Sequence, residues 1–154
     1  MTNPQLPIAV IIERRALENR WQSEKWEAIG VIPDAGDTAG PRLLREEPGC
    51  AQWLHGGLVL ELFRDEAENY YLNLSTPQPV VFVVRRMDGD LAVPKFVTVS
   101  YGEAARFMDS DEQVDSVAMP RDMCDWLGEF VNNHYKPEPK KRSRPPSFKG
   151  AKRG

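Results

Sequence analysis

The stretch VVFVVRRMDGDLAVPKFVTV, residues 80–99, decides the fold class. Its first five residues are all apolar, so both faces of the segment are apolar, which is typical of a central strand. Asp88-Gly89 supplies the positive φ that a tight two-residue hairpin turn requires. The stretch therefore predicts an antiparallel hairpin from Val80–Arg86 to Leu91–Val99. Pro94 cannot donate a backbone hydrogen bond, so we expect it at a sheet edge or a bulge.

Short apolar runs on the N-terminal side of this hairpin predict further strands, each bounded by Pro, Gly or charged residues. The predicted strands are Ile8–Ile12, Trp26–Ile32, a short strand around Cys50–Leu54, Leu58–Phe63 and Tyr70–Leu74. His55-Gly56-Gly57 is interpreted as a turn, and Arg64–Asn69 as the turn that leads into the last of these strands. Together with the hairpin they make about seven strands.

After the hairpin, the spacing of the apolar residues changes from that of a strand to that of a helix, which predicts two helices. Ser100-Tyr101-Gly102-Glu103 is an S-x-x-E capping box, which predicts a short helix through Met108. Met119-Pro120 predicts the start of a longer helix, since proline is favoured in the first helical turn, and Pro137 ends it. The apolar stripe of this helix is Met123, Trp126, Leu127, Phe130, Val131 and His134.

The order of elements predicts an α+β fold in which a curled antiparallel sheet or small barrel is covered by the C-terminal helix. By analogy, the order also fits a pleckstrin-homology-like barrel. Two stretches interrupt the pattern. Residues 33–50 are rich in Gly, Pro and Asp and long for a loop, which marks them as functional or mobile. Four acids between the helices, Asp109, Asp111, Glu112 and Asp115, predict a solvated linker.

Charge divides the 154 residues into two parts. Residues 1–135 carry 12 Lys/Arg and 22 Asp/Glu, a net charge of −10, whereas residues 136–154 carry eight and one, a net charge of +7. The second part has four prolines and one aromatic residue, so it cannot bury enough apolar area to offset its ordering entropy. We therefore expect one folded domain over 1–135 and a disordered basic tail over 136–154.

Several function classes lack their motifs. The apolar runs are at most five residues long and no basic leader precedes them, so we expect a cytoplasmic chain with no membrane span. Neither G-x-G-x-x-G nor the P-loop pattern occurs. The soft ligands Cys50, His55, Cys124 and His134 match no zinc spacing, and His55-Gly56-Gly57 has no G-x-S-x-G partner. We expect reduced cysteines, no metal and no cofactor.

The segment ERRALENRWQSEKWE, residues 13–27, has the most unusual composition. Its net charge is zero, which argues against a nucleic-acid stripe, and it combines arginine with tryptophan, as interface hot spots do. The candidate partner-binding residues are Arg14, Arg15, Arg20, Trp21 and Trp26. The alternative is that both tryptophans belong to the core and the charges pair locally.

The basic tail has uses of its own. Its candidate contacts are Lys140, Lys141, Arg142 and Arg144, which could bind nucleic acid, an acidic protein face or anionic lipid. A purely solubilising arm is equally compatible with the composition. One aromatic residue gives little capacity for stacking on bases, so specific binding of single strands is not expected.

The spacing ERR…NRW…W (Glu13, Arg14, Arg15, Asn19, Arg20, Trp21, Trp26), together with residues 96–135, resembles a family of short bacterial proteins of unassigned biochemistry. Members are typically encoded beside molybdenum-dependent formate dehydrogenase. The resemblance spans most of residues 6–135 and brings no catalytic residues. It implies a cytoplasmic accessory role in making or maturing that enzyme.

Three hypotheses follow from the sequence. The first is a non-enzymatic assembly factor that binds a formate dehydrogenase component through Arg14–Trp26. The second is a nucleic-acid-associated protein that uses the basic tail, and the third is a small enzyme whose site combines scattered acids. The oligomeric state stays open.

Overall fold

The computed structural model describes residues 2–34, 36 and 40–136. Seven strands and three α-helices occupy this part of the chain, with a short 3₁₀ turn, Arg64–Glu66, before the first helix. In chain order they are β1 (Gln5–Ala16), β2 (Glu24–Pro33), β3 (Arg42–Glu47), β4 (Cys50–Glu61), α1 (Ala67–Leu74), β5 (Val80–Asp88), β6 (Leu91–Thr98), α2 (Tyr101–Asp109), β7 (Gln113–Ala118) and α3 (Arg121–His134). None of the described helices is long and apolar enough to cross a membrane.

The strands form two antiparallel sheets, in the order β2-β1-β4-β3 and β6-β5-β7. The α+β class is confirmed, but the barrel analogy is wrong because the two sheets stay separate. The two sheets come together where β2 passes β7. There the Ala28 backbone N–H donates to Asp115 Oδ2 at 2.8 Å, so a side chain, and not paired backbones, joins the two strands. Asp115 also accepts from Arg85 Nε at 2.6 Å on the neighbouring strand.

One apolar core lies between the sheets and helices α1 and α3. Its fully buried members include Ile8, Val10 and Ile12 from alternate positions of β1 and Leu127 from α3. Strand β5 is covered on both faces, which confirms its central position. Val81 and Val83 point into this core, while Phe82 packs edge-on against Tyr101 of α2 at 5.4 Å.

The hairpin, the capping residue and the last helix are confirmed. The turn itself is Gly89-Asp90 rather than Asp88-Gly89, because Asp88 still pairs with Leu91, and Gly89 has φ 64°. Pro94 lies on edge strand β6 beside a register shift. Ser100 caps α2 by accepting from the Glu103 N–H at 3.1 Å. The return arm of the capping box differs, since the Ser100 N–H donates to Thr98 Oγ1 at 3.1 Å rather than to Glu103. Helix α3 buries Met123, Leu127, Phe130 and Val131 of its predicted stripe.

The predicted strand Tyr70–Leu74 is wrong, because this segment is the end of helix α1. Arg64–Asn69 is accordingly a 3₁₀ turn followed by the first turn of that helix. The apolar residues Tyr70, Leu72 and Leu74 alternate as in a strand. The residues that are fully buried, however, are Tyr70 and Asn73, whose i, i+3 spacing is that of a helix. The Asn73 amide bonds Val80 and Val99, which ties the helix to the second sheet.

The turn predicted at His55-Gly56-Gly57 is also wrong. The short strand around Cys50–Leu54 and most of Leu58–Phe63 belong to one continuous strand, β4. The glycines form a bulge in it. The register with β1 jumps there from Ile8↔Leu58 to Val10↔His55, and Gly57 has φ 82°.

Two further strands lie where loops were predicted. Within residues 33–50, β3 forms an edge strand whose six residues are all exposed, so no apolar alternation announces it. The acidic linker contains β7, in which Asp115 is half-buried and Val117 pairs with Val81. The predicted tail, residues 136–154 with Pro137, lies outside the described residues apart from Lys136.

Candidate protein-binding loop

The hairpin between β1 and β2 ends in a loop, residues 17–23, with a defined internal structure. The Leu17 N–H donates to the Ser23 carbonyl at 2.9 Å and closes the base of the loop. Asn19 Oδ1 accepts from the backbone N–H of Trp21 at 2.7 Å and of Gln22 at 3.2 Å. An Asn side chain that bonds the backbone two residues later stabilises a turn. The loop is therefore closed by one backbone hydrogen bond and shaped by one side chain, that of Asn19.

Trp21 stands at the tip of this loop with 86% of its surface exposed. Arg20, beside it in the chain, is exposed as well. Tryptophan carries the largest apolar area of any residue and is buried on average, so near-complete exposure on an ordered loop is unusual. The hydrogen-bonded turn holds the backbone that carries Trp21, and a tryptophan has only two rotatable side-chain bonds, so little side-chain entropy is lost when a partner covers it.

Trp26 has a different environment, although it lies only five residues further along. It is 8% exposed, and its ring lies 5.5 Å from that of Trp53 on β4. The Arg14 guanidinium lies over both rings, at 5.9 Å from the centre of Trp26 and 5.4 Å from that of Trp53. Glu24 forms an ion pair with Arg14, with 3.8 Å between Arg14 Nε and Glu24 Oε2. These contacts make a layer that supports the loop.

Arg15 belongs to a polar cluster on the other face of the same sheet. It donates to Glu13 Oε1 at 2.9 Å. The other oxygen of Glu13 accepts from Gln52 at 2.9 Å and from the Cys50 thiol at 3.6 Å. The hydrogen bond from Gln52 lowers the pKa of Glu13 against the opposing effect of burial, and the charge of Arg15 lowers it further. Glu13 is thus an anion that neutral and cationic donors surround.

The structure therefore separates the five predicted residues into three places. Arg20 and Trp21 are together at the loop tip, Arg14 and Trp26 form the supporting layer, and Arg15 lies on the opposite face. The predicted tail contacts Lys140, Lys141, Arg142 and Arg144 lie outside the described residues. Sequence reasoning missed Trp53, whose place beside Trp26 depends on the β1–β4 register. It named Asn19 only within the family motif, although the Asn-x-Trp spacing was an available signal of a side-chain-capped turn.

A family profile, described as a protein of unknown function (DUF3305), matches residues 7–144 of the chain. The chain belongs to the DUF3305 family. The match includes the whole loop and its supporting layer, and it continues eight residues beyond Lys136. The resemblance to a family of unassigned biochemistry is thereby confirmed, and the family description assigns no activity. No curated protein and no solved structure gives a significant match.

The soft ligands of this DUF3305 chain lie on different elements. Cys50 and His55 are on β4, whereas Cys124 and His134 are on α3, and both cysteines are free. Burial raises the pKa of the Cys124 thiol. Among the described residues, no group of three or more His, Cys, Asp or Glu side chains could hold a metal ion.

Proposed function

We propose that this DUF3305 chain is a non-enzymatic protein-binding factor, and that the loop formed by residues 17–23 is its interaction element. The exposure of Trp21 on a self-ordered loop carries the proposal. In protein interfaces, tryptophan and arginine are the residue types most enriched among hot spots. Trp21 and Arg20 are adjacent, and both are exposed rather than packed against the core, so a partner can bury both.

The supporting layer strengthens the proposal because it fixes the base of the hairpin. Arg14, Trp26 and Trp53 stack across three strands directly below the loop. Cation–π contacts of this kind contribute roughly 0.5–2 kcal/mol each, depending on how far they are desolvated. A rigid base leaves the loop few alternative orientations.

We propose further that the partner is a component of a molybdenum-dependent formate dehydrogenase. The gene neighbourhood that the sequence resemblance implies supports this choice of client. An assembly or maturation factor needs a binding surface and no active site, and the loop provides such a surface. The role would be to hold an enzyme component during its maturation.

Affinity purification of the tagged full chain from its native host tests both parts. Loss of a hot-spot side chain costs about 2 kcal/mol or more, so Trp21→Ala should weaken client binding about 30-fold. Met108→Ala is the matched control, because Met108 is an exposed apolar residue at the end of α2, outside the loop. The expected result is a formate dehydrogenase subunit with the parent chain and the control, and its loss with Trp21→Ala.

Two outcomes would refute the proposal. If the same client is recovered equally with Trp21→Ala, the loop is not the interaction element. If nucleic acid and its associated proteins are recovered in place of an enzyme subunit, and the Trp21 substitution leaves them unchanged, the accessory role itself is wrong.

A further inference from the structure

A second apolar surface runs along helix α3, at the far end of the first sheet from the loop. One depression of about 170 Å³ is lined by Leu6, Pro33, Pro120, Asp122, Met123 and Trp126. Another, of about 120 Å³, shares Trp126 and continues to Phe130, and it is more polar because Glu129, Asn133 and His134 also line it. The two together extend from the first turn of α3 to its last residue. We call them the α3 groove.

Acidic side chains line the solvent side of the α3 groove. Asp122, Asp125 and Glu129 are all exposed, and their i, i+3, i+7 spacing aligns them along one side of the helix. Arg121 is the single lysine or arginine within the helix. An apolar depression with an acidic rim fits a segment that combines positive charge with one large apolar side chain.

The chain contains such a segment. Residues 137–154 carry seven Lys/Arg against Glu138, and their one aromatic residue is Phe148, followed directly by Lys149. We propose that the α3 groove binds an aromatic side chain within a basic segment, and that residues 137–154 of the same chain are its occupant. Phe148 would fill the larger depression, the one that Met123 and Trp126 line.

The length of the C-terminal segment matches the distance it has to cover. His134 lines one end of the groove, so the segment starts there. Pro120 and Asp122 line the other end of the groove, at the start of α3, whose 14 residues span about 21 Å. Phe148 is twelve residues beyond Lys136, and twelve residues reach at most about 40 Å when fully extended. The segment is therefore long enough to reach the far end of the groove, and tethering raises its effective concentration there.

Docking of this segment has a consequence for partners. Its basic residues neutralise the acidic rim, and Phe148 excludes a partner's aromatic side chain from the same depression. A basic, aromatic peptide from another protein therefore binds the groove only by displacing the C-terminal segment. The electrostatic part of this contact weakens with salt, because the Debye length falls from about 10 Å at 0.1 M to about 3 Å at 1 M.

Paramagnetic relaxation in the full chain tests the proposal. A nitroxide is attached at Ala151→Cys, three residues from Phe148, in a chain that also carries Cys50→Ser and Cys124→Ser. The indole N–H signal of Trp126 reports on the groove. The indole of Trp21 is an internal reference, because the loop is ten strand residues, about 33 Å, from Leu6 along β1.

The expected result is strong broadening of the Trp126 signal and none of the Trp21 signal. Phe148→Ser in the same labelled chain should remove most of the broadening, and so should 1 M salt. Folding is checked independently by the unchanged Trp26 and Trp53 signals. Equal broadening at Trp21 and Trp126, or broadening that survives Phe148→Ser, would overturn the proposal.

A mixed sample distinguishes one chain from two. Isotope-labelled chain without nitroxide is combined with unlabelled chain that carries it. An unaffected Trp126 signal in the mixture supports docking within one chain. Broadening as strong in the mixture as in the singly labelled sample would overturn it in favour of a second copy as the donor of the segment.

Discussion

Alanine substitutions of Trp21 and Trp26 should differ sharply in their effect on stability. A tryptophan side chain has about 250 Å² of surface, and burial is worth about 25 cal/mol per Å². With 8% exposure, Trp26 has nearly all of this area buried; Trp21, with 86% exposure, has about a seventh. Those figures give upper values of about 6 kcal/mol at Trp26 and about 1 kcal/mol at Trp21, and alanine keeps part of the buried area. Truncation should therefore cost about 3–5 kcal/mol at Trp26, the range for large core aromatics, and under about 1 kcal/mol at Trp21.

Urea and thermal unfolding followed by circular dichroism measure both effects. For a domain of this size, about 3–5 kcal/mol corresponds to a decrease in Tm of roughly 10–20 °C. Trp26→Ala should show that decrease, and Trp21→Ala should melt within a few degrees of the parent chain. If Trp21→Ala lowers stability as much as Trp26→Ala does, Trp21 is a core residue and cannot serve as a free anchor.

Three further predictions concern buried polar groups and the loop. Asn73→Ala should lower the unfolding free energy by several kcal/mol in urea titrations. The substitution leaves three backbone groups of Val80 and Val99 without a hydrogen-bond partner, and each such group costs about 1–3 kcal/mol; a loss under 1 kcal/mol would contradict this. Burial lowers the pKa of His55 below 6.5, and its Nε2 has no hydrogen-bond partner. The unfolded state therefore binds the proton more tightly, so stability should fall as the pH drops below about 6.5, and His55→Leu should flatten that slope between pH 7 and 5.5; parallel slopes would contradict it. Asn19→Ala should weaken client binding in titration calorimetry with little change in Tm, because it disorders the loop while leaving the core intact; unchanged affinity would argue against preorganisation.

Local signals account for the elements that the sequence predicts well. The Asp-Gly turn, the Ser100 cap and the apolar stripe of α3 each depend on residues within a few positions of one another. Physical preferences at that range act before any tertiary contact forms, so they are visible in the chain itself. The loop segment, whose net charge is zero, was also found locally, from its arginine and tryptophan content.

Long-range pairing accounts for the errors. Strand β3 is exposed along its whole length, and it is a strand only because β4 supplies its hydrogen bonds. The glycines after His55 resemble a hairpin turn, and only the register with β1 makes them a bulge. Tyr70–Leu74 satisfies both a strand and a helix pattern over five residues, and its packing against α3 decides for the helix.

In the candidate site, too, local sequence predicts some features and strand pairing decides the others. Composition marked five candidate interface residues without separating them, and the exposure of two, Arg20 and Trp21, is compatible with that role. The core alternative describes Trp26, which packs on Trp53 from a strand 27 residues away in sequence. Whether a tryptophan faces water or another ring depends on which strand lies beside it, and that neighbour is a property of the fold.

The most direct test of the proposed function replaces Trp21 itself with the photoreactive residue p-benzoylphenylalanine in the native host. On irradiation, a side chain that lies in an interface forms a covalent bond to whatever protein covers it. We expect one dominant adduct whose mass and peptides identify a formate dehydrogenase component, and no such adduct from the same substitution at Met108. Irradiation that gives no adduct at Trp21, or the same adduct from both positions, would contradict it.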